Sequence, residues 1–167
     1  GIYTQHGTDD LRKLFNDNVV VQFPKPAALI RRILETVGDD GCYVLDFFAG
    51  SGTTAQAVME LNKADGGNRK FILVQLPELI DENSVASKAG YKKISEITIE
   101  RAKRVIARIQ EEAKSALPGD PQREFADSLG FKVYTLAKSN FPRVEFAPDP
   151  AKTEAENIAL LEQYIRE

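Results

Sequence analysis

Nine consecutive residues, Asp46-Phe47-Phe48-Ala49-Gly50-Ser51-Gly52-Thr53-Thr54, bring together a carboxylate, two aromatic rings, two closely spaced glycines and three hydroxyls. Glycines at 50 and 52 permit a tight turn and close approach of a ligand to the backbone. A helix starting just after them offers free N–H groups and a dipole end that favour an anion. Gly50-x-Gly52-x-x-Ala55 also fits the dinucleotide fingerprint, so an NAD- or FAD-binding reading stays open, as does a purely structural glycine turn. Asp46 precedes the first glycine at the end of an apolar run, where it can meet a ligand ammonium or brace the loop. About twenty residues further on, where a ribose-binding carboxylate is expected, the stretch from Gln75 to Glu78 has only Glu78 as an acid. No lysine follows the glycines, which excludes a P-loop nucleoside triphosphate site.

The flanking sequence reads as an α/β unit. Cys42 to Phe48 is a short apolar run expected as a strand buried on both faces. Thr53, Thr54, Ala55, Ala57, Val58 and Leu61 continue as a helix, Asp65-Gly66-Gly67-Asn68 turns the chain, and Phe71 to Leu76 reads as a second buried strand. Strand, glycine turn, helix and strand make a right-handed βαβ crossover with parallel strands. Upstream, Thr8 reads as the cap of a short helix reaching Phe15, Val19 to Phe23 as extended chain, and Pro26 as the first residue of an amphipathic helix that stops at Gly38. Downstream, Asp81 to Ala89 reads as loop or a short helical turn. A long helix then carries Ile94, Ile97, Ala102, Val105, Ile106 and Ile109 on one face. Pro118-Gly119-Asp120-Pro121 is a turn, and Phe131, Val133 and Thr135 alternate as a third candidate strand. Thr153 caps a last helix with Ile158, Leu161 and Ile165 on one face.

Composition narrows the function classes. With 167 residues, 43% hydrophobic and 28% charged, the chain is an ordinary globular domain that needs no disulfide or metal staple. One cysteine and one histidine provide neither a structural zinc set nor a Cys/His catalytic pair, so no metal site is expected. No apolar run has membrane-spanning length and no charged-then-apolar leader opens the chain, which points to the cytoplasm. Residues 88–108 hold 7 basic and 2 acidic side chains, in an otherwise acidic chain. That cluster (Lys88, Lys92, Lys93, Arg101, Lys103, Arg104, Arg108) reads either as a solvated helix face or as a face that follows phosphates. His6 reads as an exposed side chain, Cys42 as a small packing residue, and Tyr91 and Phe141 as packing aromatics.

Phe23-Pro24-Lys25-Pro26 followed by a helix, and then the 46–54 segment, resemble the paired cofactor motifs of the beta-class amino-methylating DNA methyltransferases. Further ordered segments extend the likeness. Ile72-Leu73-Val74-Gln75-Leu76-Pro77-Glu78, then Gly90-Tyr91 with Ile94-Ser95-Glu96-Ile97 and Glu100-Arg101, then Gly130-Phe131-Lys132-Val133-Tyr134 with Ser139-Asn140-Phe141, are similar to the modification (Mod) subunit of type III restriction-modification systems. The likeness covers residues 8–146.

The resemblance implies a Rossmann-like, three-layer αβα methyltransferase fold that binds S-adenosylmethionine and serves methyl transfer to the adenine amino group in duplex DNA. It implies that Asp46, Phe48, Gly50 and Gly52 form the floor of the cofactor site, with Phe47, Ala49 and Ser51 in the same loop. Thr53 and Thr54 stand near the methionine carboxylate, and Phe23, Pro24, Lys25 and Pro26 wall the other side. Lys25 is expected either to pair with that carboxylate or to be a plain surface lysine. Gln75 falls where many relatives carry an acid for the ribose, so Gln75 as a neutral substitute or Glu78 reaching back would serve. The catalytic Asp-Pro-Pro-Tyr motif of the class occurs nowhere in the chain, so no catalytic residue is assigned. The fold is expected to be incomplete because the catalytic half is absent. Residues 1–146 form the cofactor-binding part and 147–167 a tail with a short helix. Expected partners are duplex DNA through the full-length parent, a restriction (Res) subunit and a second Mod copy. The competing readings are an NAD/FAD-binding oxidoreductase domain and a non-enzymatic module that docks DNA or a partner.

Overall fold

A computed structural model of the chain describes residues 1–137 and 147–166. They fall into two compact units, Gly1–Lys132 and Val133–Glu167. In chain order the elements are α1 (Thr4–Leu14), α2 (Ala27–Val37), β1 (Tyr43–Asp46), α3 (Thr53–Asp65), β2 (Lys70–Leu73), α4 (Val85–Lys88), α5 (Ile94–Ala113), α6 (Pro121–Ser128) and α7 (Glu154–Arg166). None of the described helices is long and apolar enough to cross a membrane.

The expected βαβ unit is present. β1 and β2 pair in parallel, with Leu45 opposite Ile72 and Asp46 opposite Leu73. Gly52 at φ +80° opens α3 and Gly66 at φ +74° closes it, both in the left-handed region that glycine enters without steric cost. The mixed helix and strand arrangement is that of an α/β protein.

Burial of the strands differs from the sequence expectation. Val44, Phe71 and Leu73 pack against the helical core, whereas Tyr43, Leu45, Ile72 and Val74 are exposed. One face of the sheet is therefore uncovered, because the described residues place helices against the other face only. β1 is also shorter than the 42–48 run. Phe47 and Phe48 leave the strand where the Asp46 carboxylate accepts the Phe48 N–H at 2.9 Å and turns the chain.

Other boundaries shift for local reasons. α1 begins at Thr4, not Thr8, because the Tyr3 N–H donates to His6 Nδ1 at 3.3 Å and starts the helix one turn earlier. Pro26 caps α2 from outside its first turn, and Gly38 ends it as expected. Val19 to Phe23 forms no strand, because Phe23 takes φ +52° and bends the segment. Residues 131–137 form no strand either, having no neighbouring strand among the described residues to complete a ladder. The Ser139-Asn140-Phe141 segment lies outside the described residues. After the 118–121 turn comes a helix that the sequence reading did not include, α6, with Pro121 leading and Asp120 accepting the Gln122 N–H at 2.8 Å.

The core of the first unit gathers around α5. Ile97, Arg101, Val105, Ile109 and Ala113, each four apart, are buried in one stripe. Thus the basic cluster is not one solvated face. Arg101 is inside; Arg104 pairs with Glu100 at 2.7 Å and lies over the Phe15 ring; Arg108 pairs with Glu60 at 2.5 Å. Those three guanidiniums are committed to the fold, while Lys88, Lys92, Lys93 and Lys103 stay exposed. Tyr91 packs edge-on to Phe15, and Cys42 is a half-buried free thiol.

In the second unit, α7 begins as expected. The Glu156 carboxylate accepts the Thr153 N–H at 2.8 Å, and the Thr153 hydroxyl accepts the Glu156 N–H at 3.4 Å, a capping box.

Candidate functional site

The glycine loop leaves β1 and enters α3 in a conformation that four side chains hold. Asp46 Oδ1 accepts from the Phe48 N–H, and its Oδ2 accepts the Thr54 hydroxyl at 2.6 Å, so the carboxylate joins the end of β1 to the first turn of α3. Of the two roles open to Asp46 from sequence, bracing the loop is the one seen. Gln75 Oε1 accepts the Gly50 N–H at 2.7 Å, while its amide nitrogen donates to the Leu76 carbonyl. From α5, the Thr98 hydroxyl donates to the Gly50 carbonyl at 2.5 Å. Gly52 passes so close to α5 that a Cβ there would lie 3.0 Å from the Thr98 carbonyl.

The fourth brace is Arg101, with 0% relative exposure. Its Nε donates to Gln56 Oε1 at 2.8 Å, and its Nη1 donates to Ser51 Oγ at 2.8 Å and Thr53 Oγ1 at 2.9 Å. Burial pushes the guanidinium down to about 10, against the attraction of Asp10 and Glu60 and with the repulsion of Arg108, so it is still charged at neutral pH.

The Phe23-Pro24-Lys25-Pro26 segment meets this loop. The Thr53 hydroxyl donates to the Lys25 carbonyl at 3.2 Å. α1 holds the segment from behind: Asp10 Oδ2 accepts the Ala27 N–H at 3.1 Å, and a Cβ on Gly7 would lie 2.0 Å from the Pro24 carbonyl. Pro24 and Pro26 are buried, while the Lys25 side chain is exposed. Phe23 is 80% exposed in a left-handed conformation that disfavours a bulky residue, and Phe48 is 87% exposed. Phe47 is exposed, and Ala49 is buried beneath the turn.

The fold therefore brings Lys25, Asp46, Ser51, Thr53, Thr54 and Gln75 into one connected network around Gly50 and Gly52. Glu78 lies apart from it, exposed, with its carbonyl accepting the Ile94 N–H at 3.0 Å. Gly7, Asp10, Thr98 and Arg101 were not read as site residues from sequence. Arg101 had a signal: an arginine inside the stripe Ile97-x3-Arg101-x3-Val105-x3-Ile109 is placed to be buried. Gly7 and Asp10 had none, since their partners lie in another element.

Chemically, the arrangement is a rigid turn with the means to accept an anion. No side chain caps the first turn of α3, which leaves N–H donors available. Exposed aromatic rings stand at Phe23 and Phe48, suited to a flat apolar or aromatic group. Among the described residues, no group of His, Cys, Asp and Glu is arranged to hold a metal ion.

Comparison with known proteins gives a consistent picture. Residues 5–111 match the family of N6/N4-type enzymes described as DNA methylase. The chain is 44% identical over 133 residues to the type III restriction-modification enzyme StyLTI Mod subunit of Salmonella typhimurium, covering 80% of this chain and 19% of that protein. It is 42% identical over 99 residues to the type II methyltransferase M.KpnI of Klebsiella pneumoniae, covering 59% and 24%. It is 38% identical over 130 residues to the type III restriction-modification enzyme EcoPI Mod subunit of Escherichia phage P1, covering 78% and 18%. The chain thus spans between 18% and 24% of the length of these relatives.

Proposed function

This chain belongs to the DNA methylase family, and from that premise we propose that it is the methyl-donor-binding part of an adenine-specific amino-methyltransferase of a type III restriction-modification system. The observation that carries the reading is the network around Gly50 and Gly52, in which β1, α3, α5 and the 23–26 segment all fasten one turn. A loop held this tightly is prepared for a ligand and does not need one to order it.

The residues fit S-adenosylmethionine. The uncapped start of α3, with Ser51, Thr53 and Thr54, suits the methionine carboxylate, and Asp46 offers negative charge for the ammonium. Lys25, exposed beside Thr53, is a second candidate for the carboxylate. Phe23, Pro24 and Pro26 wall one side, and Phe47, Phe48 and Ala49 line the turn. Gln75 or Glu78 takes the ribose hydroxyls, and Glu78 must reach the site from its exposed position. When bound, the cofactor supplies a methyl group on a sulfonium for transfer to the exocyclic amine of adenine. The chain's own residues bind and orient that donor.

The remainder of the activity belongs to chain outside these residues. The exposed side chains Tyr43, Leu45, Ile72 and Val74 form a face on which further elements would complete a Rossmann-like, three-layer αβα fold. Residues 1–146 serve as the cofactor-binding part and 147–167 as a tail. Duplex DNA, a restriction subunit and a second Mod copy are the partners, and the cytoplasm is the place of action.

Calorimetric titration of S-adenosylmethionine, with NAD as the control, tests the reading. The complete protein should bind the methyl donor saturably, and Asp46→Ala should weaken that binding. Tight NAD binding without response to S-adenosylmethionine would establish the dinucleotide reading instead. An Asp46→Ala protein that methylates DNA at the wild-type rate under limiting cofactor would show that the site is wrongly assigned.

A further inference from the structure

The geometry points to Arg101 as a positioning residue for the carboxylate of the methyl donor, acting from beneath the glycine loop through Ser51 and the start of α3. This inference rests on the methyl-donor reading above. Arg101 sits in the apolar stripe of α5 with no exposed surface, and its three hydrogen-bond partners, Gln56, Ser51 and Thr53, are all neutral. Among the described residues no carboxylate lies within ion-pair distance of it, and its Nη2 has no hydrogen-bond partner. A buried cation without an anion is costly, and a neutral donor could latch the same hydroxyls. Asp10 and Glu60 attract this charge only from beyond ion-pair distance, so a closer anion supplied from outside the chain accounts for it.

The hydrogen-bond directions agree. A guanidinium can only donate, so Ser51 Oγ and Thr53 Oγ1 accept from Nη1, and their own protons must point elsewhere. The Thr53 proton goes to the Lys25 carbonyl at 3.2 Å. For Ser51 the remaining neighbour is Thr53 Oγ1 at a long 3.4 Å, which leaves its hydroxyl able to donate to an anion. That donor, the uncapped N–H groups of the thirteen-residue α3 and the buried positive charge all favour one negative group at one place.

The test compares S-adenosylmethionine with its decarboxylated analogue, which keeps the adenosine, sulfonium and ammonium and lacks only the carboxylate. Affinities for both are measured on the complete protein for wild type, Arg101→Met, Arg101→Lys and Ser51→Ala. Arg101→Met should weaken S-adenosylmethionine about tenfold or more and the analogue less than about twofold, since hydrogen bonds to a charged partner are the strong ones. Arg101→Lys, which keeps the cation, should retain most of the preference for the carboxylate. Ser51→Ala, which leaves Arg101 in place, should lose about threefold for the carboxylate-bearing ligand alone. Ser51→Ala also decides the matter if Arg101→Met does not fold. An equal fall for both ligands, or no change for either, would mean that Arg101 is only a latch and would overturn the inference. A wild-type protein that binds neither ligand would overturn the methyl-donor reading itself, a separate and recognisable outcome.

Discussion

Thr54 Oγ1 stands 2.6 Å from Asp46 Oδ2, so the hydroxyl of the first helical turn of α3 is hydrogen-bonded to the last residue of β1 across the glycine loop. The other oxygen of the same carboxylate takes the Phe48 N–H. Asp46→Ala leaves the hydroxyl of the buried Thr54 and a backbone N–H without acceptors and should cost about 1–2 kcal/mol in urea unfolding. Asp46→Asn keeps one acceptor and should fall between wild type and alanine. Equal stability of all three proteins would mean that water replaces the carboxylate freely.

Two glycines are held by close approach. Gly7→Ala would set a methyl 2.0 Å from the Pro24 carbonyl, forcing apart α1 and the 23–26 segment. A loss of about 2 kcal/mol or more is expected, as for other overpacked sites. Gly52→Ala combines φ +80° with a contact 3.0 Å from the Thr98 carbonyl and should cost about 1–3 kcal/mol. Gly41, with open space around it and no left-handed φ, should tolerate alanine within about 0.5 kcal/mol. Thermal melts of the three variants give the ranking directly.

Phe23 offers a test that separates strain from binding. Its left-handed φ of +52° is costly for a phenylalanine, so Phe23→Gly should raise stability by about 1 kcal/mol. The same change removes an exposed ring from the wall of the proposed site and should weaken the methyl donor about threefold to tenfold. Improved stability with unchanged affinity would remove Phe23 from the site.

Acid stability should report on Asp65. Burial pushes its carboxyl up, but the Gly67 N–H and the Arg69 guanidinium, each at 2.9 Å, outweigh burial and hold it below its ordinary value. A carboxyl depressed in the folded state contributes stability above its unfolded pKa of about 4, and that contribution is lost as the pH falls through the lower folded value. Asp65→Asn should therefore be less stable than wild type at neutral pH, with the difference closing below about pH 4. A difference that stays constant into acid would assign the effect to something other than ionisation.

Much of the site was legible in the residues because the relevant physics is local. Glycines at 50 and 52 permit the two left-handed turns, the apolar runs on either side are short enough for strands, and Thr53 to Leu61 has helical spacing. Those facts determine a parallel βαβ unit joined through a glycine turn whatever surrounds it. The ordered motifs carried the family as well. What only the tertiary structure decided is which side chains face which neighbour. Its place in the Ile97–Ala113 stripe marks Arg101 for burial, but only the packing of α5 against α3 puts it under the glycine loop and against Ser51. The Asp10 brace on Ala27 and the fit of Gly7 against Pro24 depend on two elements meeting, and no spacing within either element encodes that. The uncovered face of β1 and β2 is decided in the same way. Alternation shows that a strand has two faces, but only long-range packing determines whether anything lies against the second, because burial belongs to pairs of elements and never to one alone.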